Sequence, residues 1–505
     1  MTRLDARTLR DLVLDPGSWT SWDAPIGDRD VDPAYAEELR AAAERSRQDE
    51  AVVTGEGSLR GRRVAVVAGE FGFLAGSIGV ATAERLIAAV ERATEEGLPL
   101  LAAPVSGGTR MQEGTVAFLQ MIGITAAIAR HKAAGLPYLV YLRDPTFGGV
   151  LASWGSTGHV TIAEPGASIG FLGPRVYSAL YGERFPEGVQ TAEHLAERGL
   201  IDAVVPHEDV ADLADRALSV LSARRTWHLD VRDAERPTPE DGTDASDPED
   251  GRTAWDVVTA SRRPDRPGVR RLLRTAATDV VGLSGTGAGE KDPGLLLALA
   301  RFGGAPCVVL GQDRRGQSMS APLGPAALRE ARRGMRLAAE LHLPLVTLID
   351  TPGAALSREA EEGGLAAEIA RCLEDLVTLK APTLAVLLGQ GTGGGALALV
   401  PADRVLAAAN GWLGPLPPEG ASAIVHRTVD RAPEMAAGQG VRATDLWRAG
   451  IVDRVVPERP DAADEPVEFC RRLGRVLGEE LAGLLGREDA ERTRSRLHRY
   501  RHLGR

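Results

Sequence analysis

The chain reads as an α/β protein made of two tandem β-β-α repeats. Three observations predict this. Thr383–Val400, TLAVLLGQGTGGGALALV, is a run of branched aliphatics broken by five glycines in seven positions. It has an earlier counterpart in Pro137–Ser153, PYLVYLRDPTFGGVLAS, about 245 residues upstream. Apolar runs of strand length alternate with helical periodicity in both halves. Each half also closes on the same kind of segment, RGLIDAVVP at Arg198–Pro206 and RAGIVDRVVP at Arg448–Pro457.

In order, residues 1–50 are polar, with helical character over Asp32–Arg47 and an irregular arm at Asp15–Pro25 that docks by Trp19 and Trp22. A strand is expected over Arg63–Gly69 and a helix over Ser77–Thr94, where Ile78, Leu86, Ile87 and Val90 recur on one face. The next strand, Leu98–Pro104, breaks at Ser106-Gly107-Gly108-Thr109-Arg110 into a long helix reaching about His131. Pro137–Leu142 is a strand, Phe147–Val150 a turn leading to a short helix, His159–Ile162 a strand and Pro165–Phe171 a loop. Thr191–Arg198 is a helix and Ile201–Val205 the last strand of the half.

The pattern then restarts. Cys307–Leu310 follows Gly303-Gly304 as Val64–Val67 follows Gly61, and Ala326–Leu341 is a helix. Pro344–Asp350 is a strand that breaks at Thr351-Pro352-Gly353, in the place of Ser106-Gly107-Gly108. Glu359–Leu379 is expected to be one long helix leading into Thr383–Val400, with a further strand at Arg404–Ala409. The domains expected are 1–225 and 253–505. Between them lies a disordered acidic linker, 226–252, poor in bulky apolar residues.

A length of 505 residues suits two domains, and 44% hydrophobic with 26% charged residues is ordinary globular composition. A formal net charge of −11 argues against nucleic acid as a partner. Cys307, Cys372 and Cys470 are scattered without a CxxC, which leaves no zinc ribbon or disulfide framework, and no metal site is expected. The charged first residues lack a signal-peptide core and no apolar run approaches a membrane span, so a cytoplasmic protein is expected.

Several motifs fail in context. Gly391–Ala396 matches G-x-G-x-x-A, but Pro401 cuts the following helix short and no acid ends the next strand. Gly166–Gly170 matches G-x-S-x-G, yet Pro165 and Gly173-Pro174 deny it the strand and helix of a nucleophile elbow. His498 and His502 have metal-ligand spacing but lie among arginines without the glutamate of zinc proteases.

The paired glycine turns remain. Each either packs a strand tightly against a helix or opens the N-terminal N–H groups of a helix to an incoming oxygen. Such donors stabilise a developing oxyanion, and losing one typically raises a barrier by roughly 3–4 kcal/mol. The recurrence of the device favours two oxyanion holes facing one cleft.

These residues carry a family resemblance. In the first half they are Ser106–Gly114 (SGGTRMQEG), Pro145–Val150 (PTFGGV) and Ile169–Val176 (IGFLGPRV). In the second half they are Trp255–Pro267 (WDVVTASRRPDRP), Leu348–Ala354 (LIDTPGA), Gly393–Ala398 (GGGALA) and Pro418–Ser422 (PEGAS). The first half resembles the β subunit, and the second the α subunit, of the carboxyltransferase component of bacterial acetyl-CoA carboxylase, fused in one chain.

The resemblance implies two crotonase-like domains and transfer of a carboxyl group from carboxybiotin to an acyl-CoA, acetyl-CoA foremost, giving malonyl-CoA. It implies that Gly148, Gly149 and Val150 hold the thioester enolate oxygen, and Gly395 and Ala396 the biotin carbonyl oxygen. Gly107, Gly108, Gly353 and Gly394 would line the substrate surface, with Arg110, Arg175 and Glu419 supporting its walls. No cofactor would be covalently bound. None of Lys132, Lys291 and Lys380 has a methionine neighbour, so biotin would come on a separate carrier protein served by a separate biotin carboxylase. A homodimer or higher homo-oligomer is implied, because in this family the half-sites meet across a dimer interface.

The chain departs from the family in lacking the four-cysteine ribbon. It also has Leu283-Ser284-Gly285-Thr286 and Arg314-Arg315-Gly316-Gln317 where the α subunit has arginine-bearing segments. A biotin-independent decarboxylase of a malonyl thioester and a non-enzymatic scaffold stay open as alternatives.

Overall fold

Strands rich in Val, Leu and Ala are stable in the middle of a parallel sheet only when both faces are covered, and the chain follows that rule twice. The structure, a computed structural model, describes residues 4–26, 31–223, 251–318 and 321–501. It divides into two compact units, Met1–Ser222 with Gly287–Gly289, and Ala223–Thr286 with Glu290–Arg505. The expected linker lies outside the described residues over 226–250.

The first unit is a seven-stranded sheet of order β1-β2-β3-β4-β5-β7-β9. Its strands are β1 (Thr20–Ser21), β2 (Val52–Leu59), β3 (Arg62–Gly69), β4 (Leu100–Ala103), β5 (Tyr138–Leu142), β7 (Val160–Ala163) and β9 (Ala203–Val204), with β6 (Thr146–Phe147) pairing β8 (Ile169–Gly170). β1, β2 and β3 run antiparallel, and from β3 onward the sheet is parallel. The arm over Asp15–Pro25 is therefore partly a strand: Thr20 and Ser21 pair with Glu56 and Gly55. Its tryptophans dock as expected, Trp22 packing against the core with Arg92 4.5 Å over its ring.

Helices α1 (Val80–Glu95) and α2 (Gly114–Ala133) cover the sheet, and the core joins Leu86 and Val90 of α1 to Ile124 and Ile128 of α2 and Tyr138 and Val140 of β5. Helix α3 (Pro174–Tyr181) stands where only a loop and a glycine-rich motif were legible.

The second unit repeats the plan as β10 (Thr278–Leu283), β11 (Leu295–Phe302), β12 (Ala305–Gln312), β13 (Leu345–Thr351), β14 (Thr383–Thr392), β15 (Arg404–Ala408) and β17 (Arg454–Val456), with β16 (Trp412–Gly414) on the end of β14. Again the first three strands are antiparallel and the rest parallel. Helix α4 (Pro325–Leu341) occupies the place of α1, and both begin after an extended glycine, Gly324 and Gly79.

The single helix expected over Glu359–Leu379 is two, α5 (Arg358–Glu362) and α6 (Leu365–Thr378). Gly363 and Gly364 break it, and Gly364 has φ +78°, a conformation no helix interior accepts. Two later helices, α7 (Gly393–Leu397) and α8 (Pro418–His426), complete the parts that concern the site.

Candidate active site

In both units the carboxyl ends of the parallel strands carry the glycine turns, the end at which open α/β sheets bind ligands. After β4, the Gly108 N–H donates to the Ser106 hydroxyl at 3.0 Å, and that hydroxyl lies 3.2 Å from the Gly108 carbonyl oxygen. After β13, the Gly353 N–H donates to the Thr351 hydroxyl at 3.2 Å, with the Gly353 carbonyl oxygen 3.1 Å away. Gly108 and Gly353 have φ of +122° and +137°. The loop after each is tied back by a parallel bridge, Ile78 to Thr109 and Leu323 to Ala354. Every member of the second set follows its counterpart by about 245 positions.

The second wall of each turn follows β5 and β14. Gly148 (φ +70°) and Gly393 (φ +61°) occupy the same place and reverse the chain in a conformation that suits only glycine. Gly148 donates its N–H to the Gly170 carbonyl at 3.2 Å, and Phe147 donates to Ser106 at 2.9 Å, so both loops of the first unit form one surface. The short helix expected there is a π-helix, Leu151–Gly155. The Gly149 and Val150 N–H groups donate to no acceptor among the described residues, and Gly148 and Gly149 are half-buried.

In the second unit Thr392 is the N-cap of α7, so Gly393, Gly394 and Gly395 form its first turn. Their N–H groups precede any main-chain acceptor one turn back, and Ala396 is the first residue to have one. A Cβ on Gly395 would stand 3.2 Å from the Ala354 nitrogen, and one on Gly391 2.4 Å from the Trp412 carbonyl oxygen. The glycine cluster thus lets three main-chain segments close on one another. The Gly395 carbonyl accepts from Gln312 Nε2 at 2.7 Å.

The three charged candidates differ. Arg110 is wholly enclosed and grips Glu50 through two hydrogen bonds of 2.8 Å, with a further 2.8 Å bond to the Ser77 carbonyl. Burial alone would raise the Glu50 carboxyl, but Arg110 outweighs it and holds the pKa at about 2. Arg110 therefore braces the Gly108 loop from behind and presents no charge to a ligand. Glu419, on α8, pairs with Arg262 at 2.5 and 3.0 Å, and this bond holds its carboxyl below the usual range. Arg262 also reaches Gln390 at 3.3 Å, which ties α8 to the end of β14. Arg175 is the second residue of α3, and its side chain lies outside the described residues.

Neither Gln312 nor Arg262 was singled out from the sequence. A glutamine at a strand end has no pattern of its own, and Arg262 sat unremarked inside a longer motif. Among the described residues no group of three or more His, Cys, Asp or Glu is placed to hold a metal ion, and no helix is long and apolar enough to cross a membrane.

The carboxyl transferase domain family matches residues 2–482. A probable biotin-dependent acyl-coenzyme A carboxylase beta3 subunit of Mycobacterium tuberculosis is 60% identical over 504 residues, covering 100% of this chain and 99% of the relative. The acetyl-coenzyme A carboxylase carboxyl transferase subunits beta/alpha of Salinispora tropica are 38% identical over 517 residues, covering 100% of this chain and 91% of that protein. Among solved structures, a chain of transcarboxylase 12S superposes with a TM-score of 0.72 at 23% identity, over 95% of this chain and 90% of that one. A single-chain, multi-domain long-chain acyl-CoA carboxylase gives a TM-score of 0.73 at 20% identity, over 94% of this chain and 46% of that one. The fold likeness bears out the expected α/β architecture.

Proposed function

The chain belongs to the carboxyl transferase domain family, and from that premise we propose that it is the carboxyltransferase component of a biotin-dependent acyl-CoA carboxylase. The observation that carries the reading is the duplicated main-chain turn. Each unit offers N–H groups without an acceptor among the described residues, in a cradle where an added Cβ would crowd neighbouring backbone at one or more positions. Such a cradle fits a carbonyl-type oxygen, which needs only donors and room.

In the first unit the Gly149 and Val150 N–H groups hold the thioester oxygen as negative charge builds on it, which makes the α-carbon nucleophilic. Gly107 and Gly108 form the facing wall. In the second unit the N–H groups of Gly394 and Gly395 hold the ureido oxygen of biotin, the Ala396 N–H expected to share that role being engaged one turn back inside the helix, with Gly353 opposite and Glu419 bracing the far side through Arg262. Carboxybiotin on a carrier protein, held there, would supply the carboxyl group as its N–carboxyl bond breaks, and the nitrogen so freed would accept the α-proton. The acyl α-carbon thus exchanges one C–H bond for one C–C bond. Arg175 is proposed as a further wall residue.

The finer reading is acetyl-CoA as acceptor and malonyl-CoA as product, as in fatty acid biosynthesis. Carrier and biotin carboxylase are proposed as separate chains, and the cytoplasm as the location, in keeping with three buried cysteines that form no disulfide. We also propose a homodimer or larger homo-oligomer. Helix α2 leaves Val116, Phe118, Leu119 and Ile122 more than half exposed, and α8 with the loop after it leaves Ile424, Val425 and Val429 in the same state.

The test follows loss of the malonyl carboxyl group when purified protein is mixed with malonyl-CoA, with and without free biotin. Loss that requires biotin supports the reading. Loss without biotin, or only from malonate on an acyl carrier, supports a decarboxylase instead.

A further inference from the structure

We infer that Gln312 is a positioning residue for the second unit's turn, an inference that rests on the carboxyltransferase reading above. Gln312 ends β12 and is fully buried. Its Nε2 donates to the Gly395 carbonyl at 2.7 Å, and its Oε1 accepts the Asp350 N–H at 3.1 Å. One amide therefore spans both walls of the turn, because Asp350 directly precedes the Thr351 hydroxyl that clamps Gly353. The orientation of the amide is fixed chemically: turned over, its NH2 would face an N–H and its oxygen a carbonyl.

The two units part company here. In the first unit the matching carbonyl, that of Val150, accepts the Gly155 N–H at 2.8 Å, so the π-helix supports its own turn. In the second unit Leu399 donates to Ala396 at 3.0 Å and Ala398 to Gly394 at 3.0 Å, and Gln312 is the donor that reaches Gly395 among the described residues. The first cradle is self-supporting, and the second depends on a side chain from a neighbouring strand.

Carbonyls and N–H groups point opposite ways along a helical turn, so holding the carbonyl end aims the N–H end. The tolerance is small, since even a Cβ added to Gly395 would stand 3.2 Å from the Ala354 nitrogen. A displacement near 1 Å at a reacting centre can cost on the order of 100-fold in rate.

Gln312→Glu keeps an oxygen for the Asp350 N–H and loses the donor to Gly395. Biotin-dependent loss of CO2 from malonyl-CoA is measured against pH for wild type, Gln312→Glu and Gln312→Met. The expected result for Gln312→Glu at pH 8 is a kcat lowered by roughly tenfold or more with KM for malonyl-CoA unchanged. The defect should shrink toward pH 6, as the buried introduced carboxyl takes up a proton and can donate again. Gln312→Met should show the loss at every pH. Wild-type kcat in Gln312→Glu at pH 8, or a defect equal at both pH values, overturns the inference.

Amide hydrogen exchange in the unliganded protein reads the clasp without turnover. Exchange over Thr392–Val400 should quicken by roughly tenfold in Gln312→Met while Gly148–Gly155 keeps its rate. Unchanged exchange over Thr392–Val400 overturns the inference. A wild type that needs no biotin contradicts the carboxyltransferase reading, and the exchange result then decides the role of Gln312 by itself.

Discussion

A Cβ placed on Gly148 lies 3.3 Å from the Cα of Gly108, so the two loops of the first unit's turn meet backbone to backbone. Gly148 also has a φ of +70°. Gly148→Val would add about 1–2 kcal/mol of backbone strain and push the Gly108 loop away. The expected outcome is carboxyl transfer lowered by about 100-fold with the far-UV circular dichroism of wild type. Normal turnover in a folded Gly148→Val protein would remove the first turn from the mechanism.

The Arg110–Glu50 pair predicts an acid response. Glu50 has a folded pKa near 2 against an ordinary value of 4.5, so its contribution to stability is complete above pH 4.5 and fades as pH falls toward 2. Arg110→Met alone strands a buried carboxylate and should cost about 3–5 kcal/mol. Arg110→Met with Glu50→Gln should recover part of that loss and flatten the acid limb of the stability curve. Thermal melts at pH 7 and pH 4 would check both expectations.

Glu330, buried on α4, predicts the opposite sign. Burial pushes its carboxyl up to about 7, against the lowering effect of the Gly285 and Asp292 N–H groups and of Arg333 and Lys291. Between pH 4.5 and 7 the folded chain therefore holds more protons than the unfolded one, and stability falls as pH rises through that window. Glu330→Gln should gain in Tm relative to wild type on going from pH 5 to pH 8. A constant difference between the two proteins would contradict this.

Much of this architecture could be read from residue order. Val and Leu runs announced the strands expected at Arg63–Gly69 and Pro344–Asp350, and β3 and β13 stand there. The repeat of glycine turns located Gly108 with Gly353 and Gly148 with Gly393. The antiparallel strands were harder to see. β2, VVTGEGSL, carries two glycines and a glutamate yet is largely buried, and tertiary pairing overrode its weak propensity. Helix α3 was hidden behind a Gly-Pro that looked like a loop and is a helix start, with Pro174 in the first turn. Arg110 was expected to support a wall of the site, and only the fold revealed the partner it does this with, Glu50, 60 residues away in sequence.

The central claim is that two bare main-chain cradles perform the transfer, and Gly395→Val tests it most directly. The Cβ alone would stand 3.2 Å from the Ala354 nitrogen, so the added side chain would push the turn away from Ala354. Biotin-dependent release of CO2 from malonyl-CoA should vanish in this variant while malonyl-CoA still binds with wild-type Kd. Release at the wild-type rate by a folded Gly395→Val protein would contradict the account.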